Sequence, residues 1–197
     1  MKFPVPKFPR PRVFDLRVNQ PPSYLVKQRG GKKGFAGTAA KAGNKLYVVA
    51  NDDDGGTIHY VGITTRSMKV RFDASIKANN KLNRNYSWAG LTGEFKLFVW
   101  DLNKAARNKR DLESIESEFT LAARVMQKGW PVHQRGIMFS HFLAGNHIRS
   151  ASAVAGKMCE QYYDVLLDRP KLTKRTKRFL SKEKSQVLRI LNGIMYY

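Results

Sequence analysis

KLYVVANDDDGGTIHYVGI, residues 45–63, is the stretch that decides the fold class. Two runs rich in β-formers, Lys45–Asn51 and residues 57–63, flank the turn-forming DDDGG of residues 52–56, and together they predict a β-hairpin. Immediately after it, Thr64 or Thr65 can cap a helix to about residue 78, with Met68, Phe72, Ser75 and Ile76 along one face. A polar loop, NNKLNRNYSW, leads to a third strand over residues 94–101, EFKLFVWD. Residues 111–128 have the apolar spacing of an amphipathic helix. Beyond Trp130 come a loop, a mixed helical stretch to Asp168 and a basic helix over residues 172–192. The order strand, strand, helix, strand, helix is too short for a Rossmann unit and lacks its glycine fingerprint.

Upstream, residues 1–44 read as an extended arm: six of the eight prolines lie before residue 23, and GGKKGFAG follows. The chain therefore divides into a basic arm (1–44), a core (45–140) and a basic helical extension (141–197). The net charge of +21 is unevenly spread. Residues 1–41 carry ten Lys/Arg against Asp15, a net of +9, and residues 169–197 carry nine against Glu183, a net of +8. The middle, with seventeen basic and thirteen acidic residues, is only +4. A near-neutral core with cationic flanks suits a polyanion, because each neutralised phosphate releases condensed counterions. With no apolar run of membrane-spanning length and an N-terminus interrupted by prolines, neither a transmembrane helix nor a signal peptide is expected. The single cysteine, Cys159, excludes an internal disulfide, and the cytoplasm is the expected compartment.

Tyr47 in KLYVV and Tyr60 in HYVG stand thirteen positions apart across the hairpin, and Arg71 follows Tyr60 by eleven in YVGITTRSMKVRF. With the later LESIESEFTLAARVMQKGWPVHQ, these segments resemble the GIY-YIG endonucleases over roughly residues 45–140. The YVG-to-arginine block is the specific part; in the first half, Lys45-Leu46 stands where Gly-Ile is usual. The resemblance implies an α+β core, a three-stranded antiparallel sheet flanked by helices. It also implies a metal-dependent endonuclease of the restriction or mobile-element type. Tyr47 and Tyr60 would then position the attacking water, one of them taking its proton, Arg71 would contact the phosphate, and Glu116 would hold the metal. Gln134 would stand in for the family's late asparagine. A tyrosine is a poor base until a cation or arginine lowers its pKa.

Glu116 can be argued from periodicity as well. At 100° per residue Leu112, Phe119 and Ala123 lie within about 40° of one another and Glu116 falls beside them on the apolar side of its helix, whereas Glu113 and Glu118 are expected to face solvent. A buried carboxylate needs a cationic partner. Mg²⁺ (or Mn²⁺), which uses one or two carboxylates and keeps several waters, would suit; so would a salt bridge with Arg71. The chain departs from the family at Ser75, where a His or Tyr is common one turn after the arginine; Tyr86 is a candidate replacement. His59, His133, His141 and His147 show no ligand spacing and read as structural, and Asp52–Asp54 read as a solvated turn.

For double-stranded DNA, the candidate contacts are Lys174, Arg175, Lys177 and Arg178 on the last helix and Arg10 and Arg12 in the arm. Leu172, Phe179, Leu180, Val187 and Leu191 would turn that helix's apolar side to the core. A monomer nicking the strands in turn and a homodimer are both compatible with the sequence. The alternatives are a non-catalytic nucleic-acid-binding protein on a degenerate nuclease core, suggested by Ser75, and an RNA-directed nuclease.

Overall fold

A computed structural model of the chain describes residues 7–19, 23–52, 56–80, 92–133 and 146–194. The hairpin is present as β3 (Lys45–Asn51) and β4 (Ile58–Thr64). It is followed by α1 (Met68–Asn80), β5 (Gly93–Asp101), α2 (Lys109–Gln127), α3 (Asn146–Leu167) and α4 (Lys174–Ile194). Each expected element falls within a few residues of its predicted place. The helix cap differs: Ser67, not Thr64 or Thr65, offers its Oγ to the Val70 amide, while Thr64 Oγ1 accepts from the Arg66 amide in the preceding turn. On α2, the Asn108 side chain accepts from Asp111 N, and Lys128 closes the helix in the left-handed conformation.

The sheet corrects the expectation of three strands. It has five, all antiparallel, in the order β2-β1-β5-β3-β4, with β1 (Arg12–Asn19) and β2 (Ser23–Gln28) drawn from the region expected to be an extended arm. The physical reason is the alternation in RVFDLRVN: Phe14, Leu16 and Val18 are buried while Asp15 and Arg17 are exposed. That period of two makes one apolar face, and β5 supplies the partner edge.

The two faces of the sheet carry separate cores. Leu46, Val48, Ala50, Phe98 and Trp100 meet α2, α3 and α4 on one side. Tyr47, Val49, Leu97, Val99, Leu16 and Val18 pack with Met68 and Phe72 of α1 on the other. Buried polar groups are matched on the first side: Trp100 Nε1 donates to Gln161 Oε1 at 2.8 Å, and Tyr162 Oη donates to the Gly56 carbonyl at 2.5 Å. Gly56 has φ +59°, and an added Cβ would lie 2.8 Å from the Tyr162 hydroxyl, so both conformation and space call for glycine.

The outer edge of β4 is also covered. Gln127 of α2 accepts from the Ile58 amide through Oε1 and donates to the Ile58 carbonyl through Nε2. The His133 amide then donates to the His59 carbonyl at 2.8 Å. These contacts occupy groups that would otherwise be open to pairing with another strand.

Because Leu16 is sealed in the sheet, Leu16→Ala should lower stability in urea by about 2–5 kcal/mol, the usual cost of truncating a buried leucine. If residues 1–44 were a free arm, the unfolding midpoint would not move.

Candidate functional site

The parity of the hairpin places the candidate residues. Tyr47 pairs with Gly62 and Val49 with Tyr60, but the next pair is Ala50 with Ile58, so His59 is an extra residue in β4. This bulge lets Ile58 face the α2 side while Tyr60 joins the face that carries Tyr47. The two tyrosine rings stand 6.0 Å apart between centroids, tilted by 34°. Gly62 lies between them: a Cβ there would come within 2.6 Å of Tyr60 Cε1 and 2.7 Å of the Tyr47 hydroxyl. The missing side chain is what lets both rings occupy this end of the sheet.

Helix α1 brings Arg71 to the same point. Arg71 Nε donates to Tyr47 Oη at 3.1 Å, and the guanidinium carbon lies 6.0 Å from the Tyr47 ring centroid. The helix is held to the sheet from several directions. Phe72 packs on Tyr47, Tyr24 and Phe35, with centroid distances of 5.8, 5.3 and 5.7 Å. Tyr24 of β2 also donates its hydroxyl to Asp73 at 2.6 Å; burial and that carboxylate together push the phenol's pKa well up. Lys45, buried at the start of β3, donates through Nζ to the carbonyls of Gly43 and Arg66, tying the strand to the turn before α1. Burial lowers the Lys45 pKa, with Asp101 working in the opposite direction. The N-terminal strands, unforeseen in the sequence, thus help to fix the arginine helix.

Glu116 lies beside the buried Leu112, Phe119 and Ala123 of α2 but is itself half-buried, as Glu113 and Glu118 are. Burial pushes its carboxyl up to about 7 from an ordinary 4.5; Arg71 pulls it down and Glu113 pushes it further up. Glu113 and Glu118 are not simply solvent-facing. Glu113 pairs with Lys109 at 3.2 Å, and Glu118 accepts from Ser152 of α3 at 2.6 Å. Among the described residues no three His, Cys, Asp or Glu side chains form a group able to hold a metal ion. Glu116 is the carboxyl electrostatically linked to Arg71 that could bind a cation, and one carboxylate with waters is a donor set that Mg²⁺ accepts.

Ser75, at the family's His/Tyr position, is buried and donates its Oγ to the Arg71 carbonyl at 2.9 Å, so it serves the helix. Gln134 and Tyr86 lie outside the described residues, as do His141, Asp53 and Asp54. Asp52 forms ion pairs with Lys96 at 3.0 Å and Arg169 at 3.7 Å. His59 and His133 stack at 5.7 Å, His59 Nε2 bonds Asn51 Oδ1 at 2.6 Å, and the His59 ring meets Phe95 of β5 at 5.3 Å. Of the expected DNA contacts, Lys174, Arg175, Lys177 and Arg178 are exposed on α4. Arg10 is tied to Asp168 at 3.4 Å, and Arg12 lies in β1 with its guanidinium over Gly37. Phe179 corrects the expected apolar face: it is 56% exposed, whereas Leu180 and Val187 are buried.

Two outcomes follow from this geometry. Gly62→Ala should cost about 1–3 kcal/mol, because a methyl group must displace one of two packed rings. The second concerns pH. The folded pKa of Glu116 stands above its unfolded value, so between about 4.5 and 7 the folded state retains a proton that the unfolded chain releases. Stability present at pH 4.5 is therefore lost as pH rises through that window, by about 2 kcal/mol once solvent screening is allowed for. Urea unfolding in EDTA at pH 5 and pH 8 should show this decline, and Glu116→Gln should flatten it. Comparison of the chain with protein-family models, with curated proteins and with solved structures finds no significant match.

Proposed function

We propose that this protein is a divalent-metal-dependent endonuclease that cuts duplex DNA, with the chemistry of the GIY-YIG enzymes it resembles in sequence. The observation that carries the reading is the contact between Arg71 and Tyr47 beside Tyr60, at the notch left by Gly62. A permanently charged fork, two phenols and an electrostatically linked carboxyl are groups that can stabilise the charge and orient the water in phosphodiester hydrolysis. Within the five-stranded sheet, β3, β4, α1, β5 and α2 follow the strand, strand, helix, strand, helix order read from the sequence.

The residues divide the work by exposure. Tyr47 is fully buried and acts by orienting Arg71, its hydroxyl oxygen fixing one edge of the guanidinium. Tyr60 is only partly buried, so its hydroxyl is the one that can order a water for attack. The guanidinium of Arg71 would bind a phosphate oxygen and stabilise the charge that grows on it. Glu116 would hold the cation, and its raised pKa makes loading favoured above neutral pH, where the carboxyl gives up its proton. A bound Mg²⁺ or Mn²⁺ would supply further positive charge to the phosphoryl and leaving oxygens.

A second reading has one specific observation in its favour. Ser75 is committed to the Arg71 carbonyl and adds no polar group to the site, as a nuclease core that had become a binding module would permit.

Plasmid nicking with and without Mg²⁺ separates the two. Under the first reading, wild-type protein nicks only with the metal, and Glu116→Gln abolishes cleavage while binding to uncut DNA persists. Arg71→Lys retains charge but loses the planar fork, so cleavage should fall by roughly 10² with binding within a few-fold of wild type. Arg66→Lys should cut normally. Nicking by Glu116→Gln at the wild-type rate would exclude that residue as the metal ligand. Absence of nicking by folded wild-type protein would favour the binding module.

A further inference from the structure

Helix α4 is the most one-sided surface in the described chain. Its core side is closed by Leu180 and Val187, with Leu172 and Leu191 packed alongside. At 100° per residue, Lys174, Arg175, Arg178, Lys182 and Arg189 fall within an arc of about 100° on the opposite side, and all five are exposed. None of the five forms an ion pair among the described residues, unlike Lys184 on the flank, which is joined to Asp164 at 2.5 Å. At 1.5 Å per residue the stripe is roughly 22 Å long, about six base pairs of duplex.

Phe179 stands at the margin of this stripe, about 40° from Arg175 and 60° from Lys182 on the wheel. It is 56% exposed, and Ile190, 41% exposed, lies about 20° from it three turns along. We propose that α4 is a composite nucleic-acid contact, in which the cationic stripe follows the phosphates of a DNA duplex and Phe179 meets the apolar sugar or base surface beside them. Charge complementarity selects this partner: α4 has seven Lys/Arg and one acid, Glu183, which is half-buried. An anionic membrane would also attract the stripe, but an interfacial helix needs a broad apolar face to insert. Leu180, Val187 and Leu191 of α4 are turned to the protein core, and among its described residues only Phe179 and Ile190 are large apolar side chains left exposed.

The inference rests on the nuclease reading for its choice of DNA, and the tests keep the two apart. Fluorescence anisotropy with a labelled 20-base-pair duplex should show that Phe179→Ala binds about tenfold more weakly with an unchanged salt slope, while Phe179→Tyr stays near wild type. Arg178→Ala should lower the salt slope by about one. Full-length variants would be compared, with thermal melts showing equal folding. Equal duplex affinity for wild type and Phe179→Ala would overturn the proposal. So would binding to phosphatidylserine vesicles that is lost in Phe179→Ala while duplex affinity is untouched. If these results hold but wild type never nicks, the enzymatic reading fails and the surface stands. If wild type nicks and Phe179→Ala binds normally, only the surface assignment fails.

Discussion

Strand β3 is shut away from solvent along six consecutive residues, Lys45 to Ala50, and the rest of the structure is arranged around that fact. A strand with neighbours on both edges and layers on both faces must send alternate side chains into two different cores. Leu46, Val48 and Ala50 go to the three-helix side; Tyr47 and Val49 go to the α1 side. The burial of Lys45 continues the constraint. Its ammonium is satisfied by two carbonyls, Gly43 just before the strand and Arg66 in the turn before α1, so the strand is tied to where the arginine helix begins. Phe72 and the Tyr24–Asp73 hydrogen bond then fix how that helix lies.

At the site this rigidity sets up an electrostatic tension. Arg71 favours the ionised form of Glu116, yet burial outweighs it and holds the carboxyl near neutrality. A cation placed close to Glu116 would find a group ready to ionise. Arg71 meanwhile keeps its Nε on the Tyr47 hydroxyl, which fixes where the guanidinium lies. Gly62 makes the arrangement possible by absence of volume, which is why a small substitution there is expected to disturb two rings at once.

The excess positive charge is also sorted by the fold. Arg10, Lys96, Arg169 and Lys184 are drawn into pairs with aspartates at the joins between elements. The cations of the α4 stripe have no such partners among the described residues. Repulsion along one helix face weakens a protein unless something screens it, and a phosphate backbone does so along its whole length.

Local pattern alone determined the hairpin, the helix after it, the third strand of the core and the helix carrying Glu116, because each has a clear period and bounded ends. Glu116's place beside the apolar side of its helix and the suggestion of Tyr47, Tyr60 and Arg71 as partners were also legible in the sequence. Only tertiary structure decided that residues 12–28 join the sheet. Their alternation is present in RVFDLRVN, but prolines and charge masked it, and a strand needs a partner edge that the sequence does not name. The same holds for Phe179, read in the sequence as part of the apolar side of its helix: Leu180 and Val187 are the side chains that reach the core, and Phe179 is left exposed. The Arg71–Tyr47 contact, too, exists only through packing. It needs the bulge at His59, the gap at Gly62 and the grip of β2 on α1, three long-range conditions that no local spacing encodes.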